Sequence, residues 1–129
     1  MSHHRHPVTA EGAPDAIGPY SHAVISNGLL FCSGQIPLDP ASGEISGASP
    51  ADQATRCLQN LTAVCEAAGT TLASALRLTV YTTDLGEFAP INDAYAAFFE
   101  ADPPARVAVG VSALPKGALV EIDAIVAVP

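Results

Sequence analysis

Near the C-terminal end of the chain, residues 106–114 and 120–128 each alternate with the two-residue period of a β-strand, and the intervening link, Pro115-Lys116-Gly117-Ala118, is too short for a parallel crossover. The two strands are therefore expected to run antiparallel in one sheet. In the first, Val107, Val109, Val111 and Ala113 form one row and Arg106, Ala108, Gly110, Ser112 and Leu114 the other. In the second, Val120, Ile122, Ala124, Val126 and Val128 alternate with Glu121, Asp123, Ile125 and Ala127. If both valine-rich rows lie beneath covering helices, Arg106 and Glu121 share the opposite face.

They need not meet within one chain. Each lies near the start of its strand, so antiparallel pairing sends them toward opposite ends; Glu121 levels with Ser112, six residues from Arg106, or roughly 20 Å at about 3.3 Å per residue. Patterning alone favours two independent surface charges near strand ends. The alternative is an oligomer in which Arg106 of one subunit meets Glu121 of another across an exposed face that carries Ile and Leu.

Arg106 is one of only five Lys and Arg in 129 residues, against 13 Asp and Glu, for a formal charge of -8. Neutralising phosphates takes many clustered cations, so nucleic acid and anionic membrane surfaces are not expected partners. The length and the 49% hydrophobic composition fit one domain over residues 1–129, able to bury a core. The opening "MSHHRHP" is followed by no apolar stretch, so neither a signal peptide nor a membrane span is expected, and residues 1–16 read as a flexible tail. His3, His4 and His6 have no second ligand cluster beside them, and no metal site is expected. Cys32, Cys57 and Cys65 show no CxxC spacing and sit in apolar patterns, which suits buried thiols in a reducing cytoplasm.

Upstream, "HAVISNGLLFCSGQ" places Asn27-Gly28 between two β-prone runs, the dipeptide of a tight hairpin turn. "PLDPASGEISG" has loop composition, with a short strand expected around residues 44–46. A helix follows, with Ser49 as N-cap, Pro50 in its first turn, Gly69 past its end, and an apolar stripe of Ala54, Leu58, Leu61, Cys65 and Ala68. "ALRLTVYTTD" reads as a strand. Asp84 with Glu87 resembles a capping box ahead of a second helical stripe, Phe88, Ile91, Tyr95, Phe98 and Phe99, which Pro103-Pro104 ends. The order of hairpin, helix, strand, helix and two strands predicts an α+β fold, one sheet with helices on one face.

Four stretches, "IGPYSHAV", "SGQIPLDPASGEI", "INDAYAAFF" and "PARVAVGVSALPKGALVEI", closely resemble the Rid family, the reactive intermediate deaminases also called YjgF-type proteins, and in particular its RidA-like members. The likeness runs in order from about Gly18 to Val128. It implies a fold like that of bacterial chorismate mutase with a single mixed sheet, assembled as a homotrimer with sheets inside and sites at the subunit interfaces. In that fold another strand separates the last two, so "PKGA" bridges over a neighbour. The implied reaction is hydrolysis of enamines and imines, such as 2-aminoacrylate, to a 2-keto acid and ammonia, with no cofactor. Arg106 would anchor the substrate carboxylate through paired charge-assisted hydrogen bonds, and Glu121 would handle the water.

Carried over residue by residue, the resemblance has Tyr20 close the pocket, Ser33 add a polar contact and Asn92 bind near the water or fix its neighbours. The backbone N–H of Ala108 would support the carboxylate, and Gly34 would bound the cavity. Many relatives carry Cys where this chain has Ala108, so a thiol-dependent role there is excluded while a main-chain role survives. His22 has no assigned role. The alternative reading is a non-catalytic small-carboxylate sensor or chaperone-like trimer using the same cleft; ribonuclease activity suits so acidic a chain poorly.

Overall fold

The computed structural model describes residues 4–129, and His3 lies outside them. Among the described residues, six strands form one sheet in the order β1-β2-β3-β6-β4-β5: β1 (His6–Val8), β2 (Ala23–Ser26), β3 (Leu29–Gln35), β4 (Ala75–Thr82), β5 (Ala105–Gly110) and β6 (Val120–Ala127). All neighbours are antiparallel except β4 and β5, so the sheet is mixed. Helices α1 (Pro50–Ala67) and α2 (Phe88–Ala96) cover one face. This is the expected α+β arrangement, and β4 does stand between the last two strands.

Local chemistry explains the elements. Asn27 and Gly28 take φ values of 53° and 76°, the positive pair that a two-residue hairpin turn requires. The Ser49 hydroxyl accepts the Asp52 N–H at 3.1 Å and caps α1. Ala54, Leu58, Leu61 and Cys65 are buried as the stripe predicts, joined by Cys57 and Val64. All three cysteines are free and buried; burial raises the Cys57 pKa, and a hydrogen bond with the Cys65 thiol, followed by burial, raises that of Cys32. Asp84 caps a 3-10 turn over Leu85–Glu87 that leads into α2, its carboxylate accepting the Gly86 N–H at 2.9 Å.

α1 also buries two amides. The Gln53 carboxamide accepts the Leu119 N–H at 2.8 Å and donates to Gly47 O at 3.0 Å. Asn60, fully buried, donates to Leu38 O at 3.0 Å and receives both Nε and Nη2 of Arg56. These bonds satisfy backbone groups of the loop after β3 and of the approach to β6, which apolar packing alone would orphan. In that loop, the strand expected around residues 44–46 is a single bridge between Leu38 and Ile45.

Two expectations are corrected. The segment read as a flexible tail packs from His6 onward: β1 pairs with β2, and Val8, Ala10 and Ala13 are buried. The ladder with β2 holds residues 6–8, and His22 holds the stretch after them. Its buried ring accepts the Ala10 N–H at Nδ1 (2.9 Å) and donates from Nε2 to Pro14 O (2.8 Å), tying down a stretch whose composition carries little apolar signal.

The second correction concerns β5. Its valines do not lie under the helices: Val107 and Val109 are 42% and 38% exposed, on the open face of the sheet. Pairing decides this, because Leu78 and Val80 of β4 are fully buried and stand level with Arg106 and Ala108 in parallel register, which puts those two on the helix side. Small residues suit that side at the sheet edge, where a Cβ on Gly110 would come within 2.9 Å of Leu85. In β6 the expected rows hold: Val120, Ile122, Ala124 and Val126 are buried, and Glu121 and Asp123 face the open side. Arg106 and Glu121 therefore occupy opposite faces.

Candidate functional site

The candidate residues fall into two groups, one on each side of the sheet. Glu121 anchors the first. A cavity of about 340 Å³ is lined by Ile17, Tyr20, Ser33, Gly34, Ile36, Pro115 and Glu121. It exists because β3 bulges: Cys32 pairs with Ala124 but Gln35 with Ile122, leaving Ser33 and Gly34 opposite one residue of β6. A Cβ built on Gly34 would lie 2.1 Å from Glu121 Oε2, so the missing side chain is the space the carboxylate occupies. Ser33 spends its hydroxyl on Ser21 O at 2.6 Å, and its N–H donates to His22 O at 2.9 Å. Its visible work is to hold the segment that carries Tyr20. The Tyr20 hydroxyl accepts the Ile17 N–H at 3.2 Å, which folds these two side chains into one wall of the cavity.

Burial, and secondarily the Asp123 carboxylate, raise the Glu121 pKa above the ordinary glutamate range. Asp123 is itself held by the Tyr81 hydroxyl, which donates to Oδ2 at 2.9 Å. The folded state thus keeps a proton on Glu121 at pH values where the unfolded chain has released it. That makes the ionised group unfavourable to folding above its folded pKa, and the penalty fades as pH falls through the window down to the ordinary value. Glu121→Gln should accordingly melt above wild type at neutral pH, with the difference vanishing below the ordinary glutamate pKa. Melting curves over a pH series check this, and a constant or inverted difference would refute it.

Arg106 anchors the second group. On the helix side of the edge strand, its Nη1 donates to Asn92 Oδ1 at 2.7 Å, and its Cζ sits 5.1 Å from the Phe88 ring centroid and 4.9 Å from that of Tyr95. Asn92 thus binds the arginine directly. Among the described residues, β5 has no neighbour on its outer side. The Val111 N–H donates inward to Thr82 O at 2.9 Å, so by alternation Ala108 and Gly110 turn their N–H groups to the open edge. A donor at Ala108 is free for a ligand beside Arg106.

Within one chain the groups do not meet. Glu121 is level with Tyr81 and, through β4, with Val109, three residues from Arg106 rather than six, because β4 intervenes where a hairpin was assumed. That is about 10 Å along the strands, with the sheet itself between the two side chains. Ile17, Ile36, Pro115, Phe88 and Tyr95 also border these groups, and no sequence signal marks them for a site: the two aromatics read as part of the apolar stripe of α2.

Comparison with known proteins identifies the family. The family model described as Endoribonuclease L-PSP matches residues 10–128. RutC family protein y4sK of Sinorhizobium fredii is 51% identical over 120 residues, covering 93% of this chain and 95% of the relative. A protein of Bos taurus named 2-iminobutanoate/2-iminopropanoate deaminase is 41% identical, covering 92% of this chain and 86% of that protein. The crystal structure of RidA from the Antarctic bacterium Psychrobacter superposes with a TM-score of 0.91 at 38% identity, covering 95% and 99% of the two chains. A match over nearly the whole length, with the same sheet and the same two covering helices, places the chain in the Endoribonuclease L-PSP family, the Rid or YjgF-type proteins.

Proposed function

We propose that this protein hydrolyses reactive 2-imino and 2-enamino acids to the 2-keto acid and ammonia, in a homotrimer whose sites each draw on two subunits. Arg106, Asn92 and Ala108 would come from one subunit, and Tyr20, Ser33, Gly34 and Glu121 from its neighbour. One observation carries the reading: the Glu121 cavity has no Lys or Arg in its lining, and Arg106 stands on the other side of the sheet. Only a second copy brings the carboxylate and the cation to one substrate. Exposed Phe31, Val107 and Val109 favour burial of the open face in such an assembly.

The chemistry follows from the groups. Arg106 takes the substrate carboxylate on the guanidinium edge that Asn92 leaves free, and the Ala108 N–H adds a third donor. The electrophilic imine carbon then meets a water from which Glu121, its basicity raised by partial burial, withdraws a proton. Glu121 returns that proton to the nitrogen to give the carbinolamine; the carbinolamine hydroxyl proton then passes to the amine, again by way of Glu121, as the C–N bond breaks, ammonia leaves and the C=O forms. Atoms balance as imino acid plus water to keto acid plus ammonia. An enamine joins the same route after tautomerising to the imine. Deaminase naming of a relative at 41% identity supports this reading. A charge of -8 weighs against RNA as the substrate despite the family model's name.

The test generates imines in place with an amino-acid oxidase and follows keto-acid release with wild type, Arg106→Ala, Glu121→Gln and the two variants refolded together. Each variant alone should be inactive, with Glu121→Gln still binding keto acid. The mixture should regain about a quarter of wild-type activity, since random assembly restores one intact site in four when two subunits contribute. A mixture as inactive as its parts would place both groups in one chain's site, and a wild type without acceleration would leave a carboxylate sensor.

A further inference from the structure

The contacts given to Arg106 are two ring faces and one amide oxygen. Phe88, Asn92 and Tyr95 follow one another at intervals of four and three residues along α2, the spacing that stacks side chains on one helix face. That face is turned to the edge strand. An arginine held by a carboxylate would have its charge spent before a ligand arrived. Aromatic faces and an amide restrict its direction while leaving the charge available.

We infer that Phe88 and Tyr95 are positioning residues for the arginine: they clamp the Arg106 guanidinium so that Asn92 takes one Nη1 hydrogen and the edge bearing Nε and Nη2 stays presented to a substrate carboxylate. The inference rests on the carboxylate-anchoring role proposed for Arg106. It assigns a second use to Tyr95, a buried core side chain whose ring lies tilted against Phe99 with centroids 4.8 Å apart. In Tyr95 the ring does the holding, because its buried hydroxyl has no hydrogen-bond partner among the described residues. Without the clamp a long, exposed arginine samples several rotamers, and fixing one of them again costs affinity when the ligand binds.

The experiment measures binding of 2-oxobutanoate by calorimetry together with imine turnover. Phe88 is only partly buried, so Phe88→Leu is the informative variant. It should weaken 2-oxobutanoate roughly three- to tenfold and raise KM by the same factor with kcat unchanged. Phe88→Tyr, which keeps the ring, should retain wild-type values of both. A fall in kcat with binding unchanged, or no change at all, overturns the clamp. Because a variant can fail by misfolding, the unliganded wild type supplies an independent arm: the Arg106 Nε–H vector should be as ordered by NMR relaxation as the backbone around it, and a freely rotating side chain overturns the inference. The two claims separate cleanly. Turnover absent in wild type, with Phe88→Leu still weakening keto-acid binding, defeats the deaminase reading and keeps the clamp; normal turnover with unaltered binding in Phe88→Leu defeats the clamp alone.

Discussion

Arg106→Ala should reduce 2-keto-acid affinity on the order of 10²-fold while leaving the fold intact. Removing one partner of a fork-like pair of charge-assisted bonds costs about 2–5 kcal/mol where the site excludes water, and each 1.4 kcal/mol is tenfold. Little of that loss should appear as instability. The side chain is exposed, and the β5 backbone keeps its register with β4 whatever residue stands at 106. Arg106→Lys should fall between the two, because an ammonium keeps the charge and loses the planar fork that two carboxylate oxygens match. Calorimetric titration with 2-oxobutanoate, run beside sedimentation, reads both quantities. Binding unchanged in the alanine variant would remove Arg106 from the site, and dissociation to monomers would make it chiefly an interface residue.

Gly34→Ala tests the other half of the site through one methyl group. A Cβ at 2.1 Å from Glu121 Oε2 is far inside contact distance, and the carboxylate is the part free to swing away. Gly34 does not sit in the left-handed backbone region, so alanine brings no conformational penalty there and the collision is the whole effect. Turnover should drop at least about 100-fold, because a carboxylate displaced by even 1 Å no longer meets its water. Keto-acid binding through Arg106 should change by less than about threefold, since the methyl touches none of its donors. Adding Glu121→Asp to Gly34→Ala shortens the acid by one methylene and should return part of the rate. Full activity in Gly34→Ala would mean that the carboxylate has no work to do where it stands. Equal losses in binding and turnover would mean that the methyl disturbs the assembly.

How much of this was legible beforehand varied with the kind of force involved. Local signals read true: Asn27-Gly28 turned the hairpin, Ser49 capped α1, and the apolar stripes of both helices found the core. Each of those depends on a few adjacent residues and one period. The face of β5 did not read true, because an edge strand inherits its facing from the strand beside it. There the bulky valines go to the open side while Arg106, Ala108 and Gly110 fit under α2 and the turn at Leu85. The packing of residues 6–16 was invisible for a related reason: it rests on a short ladder with β2 and on one buried imidazole twelve positions away from the amide it receives. The motif around Arg106 and Glu121 pointed to both residues, yet their separation through the sheet needed the order of the strands.

That strand order also decides how much of the chain each group of residues depends on. β4, α2 and β5 make one parallel crossover, the connection that must pass over a sheet face to let the second strand run alongside the first. Arg106 and the three α2 side chains around it therefore travel in a single contiguous stretch, residues 75–110, whereas the cavity around Glu121 is assembled from two distant pieces of chain. The packing around Arg106 is thus internal to one supersecondary unit, and a change that loosens that unit should move the cation and its support together. The Glu121 cavity depends instead on segments far apart in sequence staying in register across β3 and β6.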